Sequence, residues 1–169
     1  MIQKLLRNLT LFIPLFLLIL LGCSEEEPGI VSSLDVNLDV NMTLQFVNQN
    51  RAQTVMCGNE EKEAVSVLLW SDELAKAALD HSNDMQVNDY FDHTSQDGTR
   101  FSERAVNAGF EGSPVGENIA FGYQFEQAVI TGWMESAGHC KNIMNGRATH
   151  VGVARSDEGS YWTMVLGRK

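Results

Sequence analysis

Residues 133–144 read Trp133-Met134-Glu135-Ser136-Ala137-Gly138-His139-Cys140-Lys141-Asn142-Ile143-Met144. The run closes a helical stripe. Phe125, Ala128, Val129 and Trp133 recur at three- and four-residue spacing, which predicts a helix from about 125 to 134 with one apolar face. His139 and Cys140 follow side by side, but neighbours in sequence need not face each other in space.

Towards the C-terminus the period changes from helical to alternating. Val151 and Val153, then Tyr161 to Leu166, predict two strands joined by a turn at Asp157-Glu158-Gly159. Towards the N-terminus the helical period returns. A short helix is expected from about Thr99 to Ala108, with Gly109 as the residue just past its end. A stronger one starts at Ser71 or Asp72, lines one face with Leu74, Ala75, Ala78, Ser82 and Met85, and stops at Asn88-Asp89. The first helix carries Leu44, Val47 and Arg51, with Asn41 or Thr43 as its N-cap, and Cys57-Gly58-Asn59 breaks it. Helices first and a closing hairpin predict an α+β domain over residues 43–169.

The 169 residues suit one such domain with terminal extras. With 44% apolar and 20% charged residues the chain can bury a core. Its formal net charge of −10 disfavours nucleic acid and anionic surfaces as electrostatic partners. Phosphate-binding glycine loops, HExxH and CxxC pairs are absent from the sequence.

The N-terminus predicts export. Lys4 and Arg7 precede an apolar stretch, Leu9 to Leu21, too short for the roughly 20 residues of a spanning helix. It ends Leu20-Leu21-Gly22-Cys23, which resembles the bacterial lipobox. Residues 1–22 are then a signal peptide, and Cys23 carries lipid that attaches the chain to a membrane. Ser24 after the cysteine favours the outer membrane if the cell has one, by analogy with lipoprotein sorting. Residues 23–42 are expected to be an acidic tether, with Glu25-Glu26-Glu27 keeping it extended. The alternation of Leu34, Val36, Leu38 and Val40 with Asp and Asn offers an edge strand as the alternative. With Cys23 lipidated, Cys57 and Cys140 remain as an even pair. They are either two buried thiols or a bridge, which would contribute about 4–5 kcal/mol in the chain-entropy model.

Four segments together carry a family resemblance: Tyr90-Phe91-Asp92-His93-Thr94, Gly116-Glu117-Asn118-Ile119-Ala120, the 133–144 run, and Gly152-Val153-Ala154 followed by Tyr161-Trp162-Thr163. Their order and spacing resemble the CAP superfamily, also called the SCP or pathogenesis-related-1 family, in its short bacterial form. The resemblance implies a three-layer α-β-α sandwich with a small antiparallel sheet. It also implies a Cys57–Cys140 disulfide, since bacterial members often carry cysteines at these positions. By motif, His93, His139 and Glu117 correspond to the family's cleft residues. A second acidic residue is expected after the helix-four tryptophan. Ser136 stands at the matching position and Glu135 one residue earlier, about 100° away around a helix.

Two imidazoles and a carboxylate make a plausible site for Zn²⁺ or a similar divalent ion, so His93, His139 and Glu117 are the candidate metal ligands. The same groups suffice in principle for acid–base work, yet no serine or cysteine sits in a nucleophile motif, and no catalytic residue is assigned. The leading expectation is a lipid-anchored, extracytoplasmic, non-enzymatic module that binds a lipid or another envelope ligand. A metal-assisted envelope hydrolase and a protein–protein interaction module are the alternatives. Other polar residues suggest structural roles: His81 packed on helix two, His150 at the surface, Asn118 bonded to backbone, Arg104 anchoring helix three, and Trp133 and Trp162 in the core.

Overall fold

A computed structural model describes residues 32–169. The expected signal peptide and Cys23 lie outside the described residues. In chain order the elements are α1 (Val40–Arg51), β1 (Val55–Cys57), β2 (Glu60–Lys62), β3 (Leu69–Trp70), α2 (Asp72–Val87), α3 (Phe101–Asn107), β4 (Ser113–Phe121), α4 (Glu126–Glu135), α5 (Ala137–Ile143), β5 (His150–Arg155) and β6 (Tyr161–Arg168). β3, β5, β6 and β4 form a four-stranded sheet in that order, and β1 pairs with β2 as a separate hairpin. The sheet is antiparallel except at its edge, where β3 runs parallel to β5.

Strand alternation builds the layers. Val151 and Val153 of β5 and Trp162, Met164 and Leu166 of β6 face α1, α4 and α5, meeting Val47, Val129, Ile130, Trp133 and Ile143. The intervening Ala154 and Val165 face α2 and α3, meeting Leu74, Ala75, Ala78 and Ala105. The arrangement is the expected α-β-α sandwich. Gly152 is what lets α2 settle so closely: a Cβ there would lie 2.0 Å from the Ala75 backbone nitrogen. The two buried tryptophans find carbonyls for their N–H groups, Trp133 on Ile119 at 3.2 Å and Trp162 on Tyr123 at 3.0 Å.

Several local expectations need correction. Residues 32–39 are neither a tether nor a strand, and the ordered domain begins before residue 43. Val36 is buried beside α2, and its carbonyl accepts from Arg155 N–H at 3.0 Å. Ser32 and Ser33 hydrogen-bond Asp72, and Asn37 donates to the Ser156 carbonyl. The acidic side chains of this stretch stay outside while its apolar residues pack, so burial outweighs charge repulsion. α1 starts at Val40, capped by Asp39, whose carboxylate accepts from Met42 N–H at 2.9 Å. α1 also ends before Cys57, which lies in the β1–β2 hairpin. Phe125 is the exposed N-cap of α4 and lies outside its buried face. Ser136 ends α4 and begins a separate helix, α5, which the sequence reading did not divide from the loop.

Candidate functional site

The site lies at the open edge of the sheet, on β4. Glu117, Ile119 and Phe121 point to the α2–α3 side of this strand, and Asn118 and Ala120 to the α5 side. The Glu117 side chain is almost fully buried, and both carboxylate oxygens are engaged. Oε1 bonds His93 Nδ1 at 2.9 Å, and Oε2 accepts from Arg104 Nη2 at 2.6 Å. Arg104 is held in turn by donating to the Thr99 and His93 carbonyls and to Ser95 Oγ. One guanidinium therefore braces the carboxylate and the backbone of the histidine that shares it. The expected anchoring of α3 by Arg104 is present, and its contact with Glu117 is an addition.

On the other side of β4, α5 is stitched to the strand. Asn142 donates to the Glu117 carbonyl and to Asn118 Oδ1, both at 2.9 Å, and Asn118 donates to the His139 carbonyl at 3.1 Å. The first of these bonds satisfies the Glu117 carbonyl on an edge strand that has no neighbour on this side. Together the bonds explain why a short α5 beside β4 presents His139 at the same edge. Gly116 leaves room for the stitch, since a Cβ there would come within 3.1 Å of Asn142. The far end of α5 is pinned by Arg51. Its side chain is fully buried and donates to the Ser66, Ile143, Asn145 and Ala148 carbonyls. Arg51 thus satisfies carbonyls at the end of α5, where no helical partner remains. Burial lowers its pKa to about 10, and it stays a cation at neutral pH. Next to His139, Cys140 is bonded to Cys57, and this ties α5 to the β1–β2 hairpin.

The two histidines titrate in opposite directions. The hydrogen bond to Glu117 raises the His93 pKa, against a smaller effect of burial. Burial lowers that of His139, and positive charge on His93 lowers it further. A proton on the pair therefore settles on His93. His93 is about half exposed, with its side chain at 52%, and Nε2 is its remaining polar atom.

The expected three-ligand metal site is not what the residues form. Among the described residues no group of three or more His, Cys, Asp or Glu is arranged to hold a metal ion. Both Glu117 oxygens already serve an imidazole and a guanidinium, which makes this carboxylate a poor further ligand for a cation. Its position matches instead that of an outer carboxylate orienting a histidine. Glu135 does not replace the second acidic residue. It is exposed at the end of α4 and lines a different concavity, with Tyr123, Phe125, Ala128 and Gly132. Ser136 serves as the hinge between α4 and α5, with its carbonyl accepting from Cys140 N–H.

The remaining histidines are structural. His81 is fully buried on α2, and its Nε2 meets the Asp92 carbonyl at 2.9 Å. A carbonyl only accepts, so Nε2 carries the proton. His150 opens β5 and bonds Thr149 Oγ1 through Nδ1, half-buried rather than on the open surface.

Comparison with known proteins agrees with this architecture. The CAP profile, described as the cysteine-rich secretory protein family, matches residues 44–166. Two curated relatives from Bacillus subtilis (strain 168) are similar in sequence. The uncharacterized protein YkwD is 37% identical over 61% of this chain and 40% of its own length. The uncharacterized membrane protein YlbC is 36% identical over 54% of this chain and 27% of its own length. The chain thus spans less than half the length of either relative. Among solved structures, an extracellular protein containing an SCP domain from Bacillus anthracis superposes with a TM-score of 0.59 at 33% identity, over 62% of this chain and 35% of that one. An outer surface protein from Borrelia burgdorferi also gives 0.59, at 16% identity over 78% and 96% of the two chains, a likeness of fold alone. Since the profile match covers residues 44–166, most of the sequence, the chain belongs to the CAP, or cysteine-rich secretory protein, family.

Proposed function

We propose that this chain is a non-enzymatic binding domain held on the extracytoplasmic face of a membrane by lipid on Cys23, with ligand bound at the His93–His139 edge of the sheet. The observation that carries this reading is the full commitment of Glu117 to His93 and Arg104. A carboxylate so engaged orients an imidazole well and serves poorly as a free general base. No hydroxyl or thiol of the site stands in its place: Cys140 is in the disulfide. What the edge offers is two imidazoles, and Zn²⁺ or a similar divalent ion would be held by His93 Nε2 and His139, with water completing its shell. Bound there, such an ion would supply a positive centre for an envelope ligand. The concavity on α4 around Tyr123, Phe125 and Ala128, of about 510 Å³, offers a place for an apolar one. The extracytoplasmic setting is supported by the 33% identical Bacillus anthracis structure, described as an extracellular protein.

Zn²⁺ titration calorimetry at neutral and mildly acidic pH tests the site. Binding should weaken in acid, because a protonated imidazole cannot ligate. His93→Ala and His139→Ala should each weaken it strongly, whereas His150→Ala and Glu135→Ala should leave it unchanged. Equal binding by all variants would refute the site. Labelling with a fatty-acid analogue tests the anchor: Cys23→Ser should abolish incorporation.

A further inference from the structure

Beyond Glu117, β4 ends in a second feature. Asp89, Tyr90, Phe91, Phe121 and Tyr161 line one open concavity of about 350 Å³. Phe121 packs on Tyr161 with ring centres 4.8 Å apart, and Phe91 flanks the same ring at 6.4 Å, tilted by 58° and 42°. Phe91 and Phe121 are each more than half exposed, at 53% and 57%. Two phenylalanines kept in water beside a buried tyrosine are not explained by the core. Tyr161 and Tyr90 belong to a small apolar cluster with Met85 and Ile119, which supports the cup from beneath.

The electrostatics of the cup are one-sided. An aromatic ring presents a negative face. The Tyr90 hydroxyl donates to the Asp84 carboxylate, which leaves more electron density on its ring. Asp89 adds a full negative charge at the rim, from a backbone in the left-handed region at φ 50°, where residues other than glycine are uncommon. Among the described residues the cation–π contacts are elsewhere, Arg155 on Trp162 and Lys169 on Phe110. The chain as a whole carries a formal charge of −10.

We propose that this aromatic cup binds an organic ammonium group, of the trimethylammonium or alkylammonium kind. Four rings and one carboxylate around a concavity suit a large, weakly hydrated cation. A small inorganic ion would find too few oxygens, and an anion would be repelled by Asp89. Glu117 and Phe121 share a face of β4 four residues apart, roughly 13 Å along the strand, while Phe91 stands two residues before His93, so the cup adjoins the histidine edge and uses other side chains.

The test is a titration of the full chain, in a micelle of uncharged detergent without choline, followed by NMR of the aromatic side chains. Choline and tetramethylammonium should shift the signals of Tyr90, Phe91, Phe121 and Tyr161, while dimethylbutanol, the uncharged isostere of choline, should bind far more weakly. Phe121→Leu keeps an exposed apolar side chain and removes one ring; it should weaken choline binding by about two- to thirtyfold. Asp89→Asn should weaken it several-fold, and added salt should reduce the difference from wild type. Phe121→Leu should leave the Zn²⁺ titration as it is in wild type, which separates this outcome from that of the histidine site. Equal affinity for dimethylbutanol would reduce the cup to an apolar patch, and tighter binding of methyl glucoside would make it a sugar platform; either overturns the proposal. Glycerophosphocholine supplied beside choline separates sources: tighter binding indicates a lipid headgroup, and equal or weaker binding a free or peptide-borne ammonium.

Discussion

Arg104 and Glu117 meet at 2.6 Å with both side chains withdrawn from water. Replacing one partner of such a pair leaves the other charged and buried. Arg104→Met should therefore destabilise the domain by about 3–5 kcal/mol. Urea denaturation measures this. Adding Glu117→Gln to Arg104→Met removes the orphaned charge and should restore part of the loss. A double variant less stable than Arg104→Met alone would show that the pair does not act as a unit.

His93 provides a pH signature. Its pKa is raised in the folded chain, chiefly by the bond to Glu117. Its contribution to stability is thus fully present below the unfolded value of about 6.5 and is lost as pH rises through the raised folded value. Histidine NMR titration should place His93 above, and His139 below, the ordinary value. Glu117→Gln should lower the His93 midpoint. An unmoved midpoint in that variant would mean that another group sets it.

His81 works in the opposite sense. Burial first, and the charge of Arg104 second, depress its pKa. The unfolded chain therefore takes up a proton below about pH 6.5 that the folded chain refuses, so this contribution falls as pH drops through that value towards the depressed one. Urea midpoints measured from about pH 6.5, where the His93 contribution is already complete, down to pH 5 should decrease. In His81→Gln the whole series should start lower, and its acid slope should be shallower. An identical slope would assign the acid sensitivity to other groups.

The Cys57–Cys140 bond closes a separation of 83 residues. The chain-entropy model assigns such a loop about 4–5 kcal/mol. The double variant Cys57→Ser with Cys140→Ser should lose stability of that order on thermal or urea unfolding. Both cysteines are buried, so each single variant should be no more stable than the double. The His139 signal should also broaden in the double variant, since α5 would be held at one end fewer.

Much of the fold was legible because its long elements announce themselves by period. α2 spans Asp72–Val87 with Ser71 as its cap, and Gly109 lies just past α3 in the left-handed region at φ 94°. The β5–β6 hairpin turns at Asp157–Gly159, as the Asp-Glu-Gly cluster predicts. What stayed hidden was short or non-local. β3 has two residues and owes its existence to pairing with β5, which no local pattern can signal. Residues 32–39 looked like a solvated acidic stretch because burial of Val36 depends on a surface made by distant elements.

The site divides in the same way. Motif order located His93, Glu117 and His139. It did not reveal that Arg104 occupies the carboxylate, because Arg104 and Glu117 lie on different elements and only the fold joins them. Arg51 was even less visible. Its place on the inward stripe of α1 beside Leu44 and Val47 was readable, whereas its four carbonyl acceptors come from the 66 and 143–148 segments. An arginine on an apolar stripe was the available signal, since a buried cation demands partners.

The strap formed by residues 32–39 also has a mechanical side. A pull applied at Ser32 meets the serine–Asp72 bonds at the start of α2, and behind them Val36 and Asn37 at the β5–β6 turn. Asp72 follows β3, one border strand of the sheet, while the paired histidines stand at the other border, β4. A load applied at Ser32 therefore enters at the sheet border opposite Glu117. The Ser32–Asp72 bonds and the His93–Glu117 contact thus stand at opposite borders of the sheet.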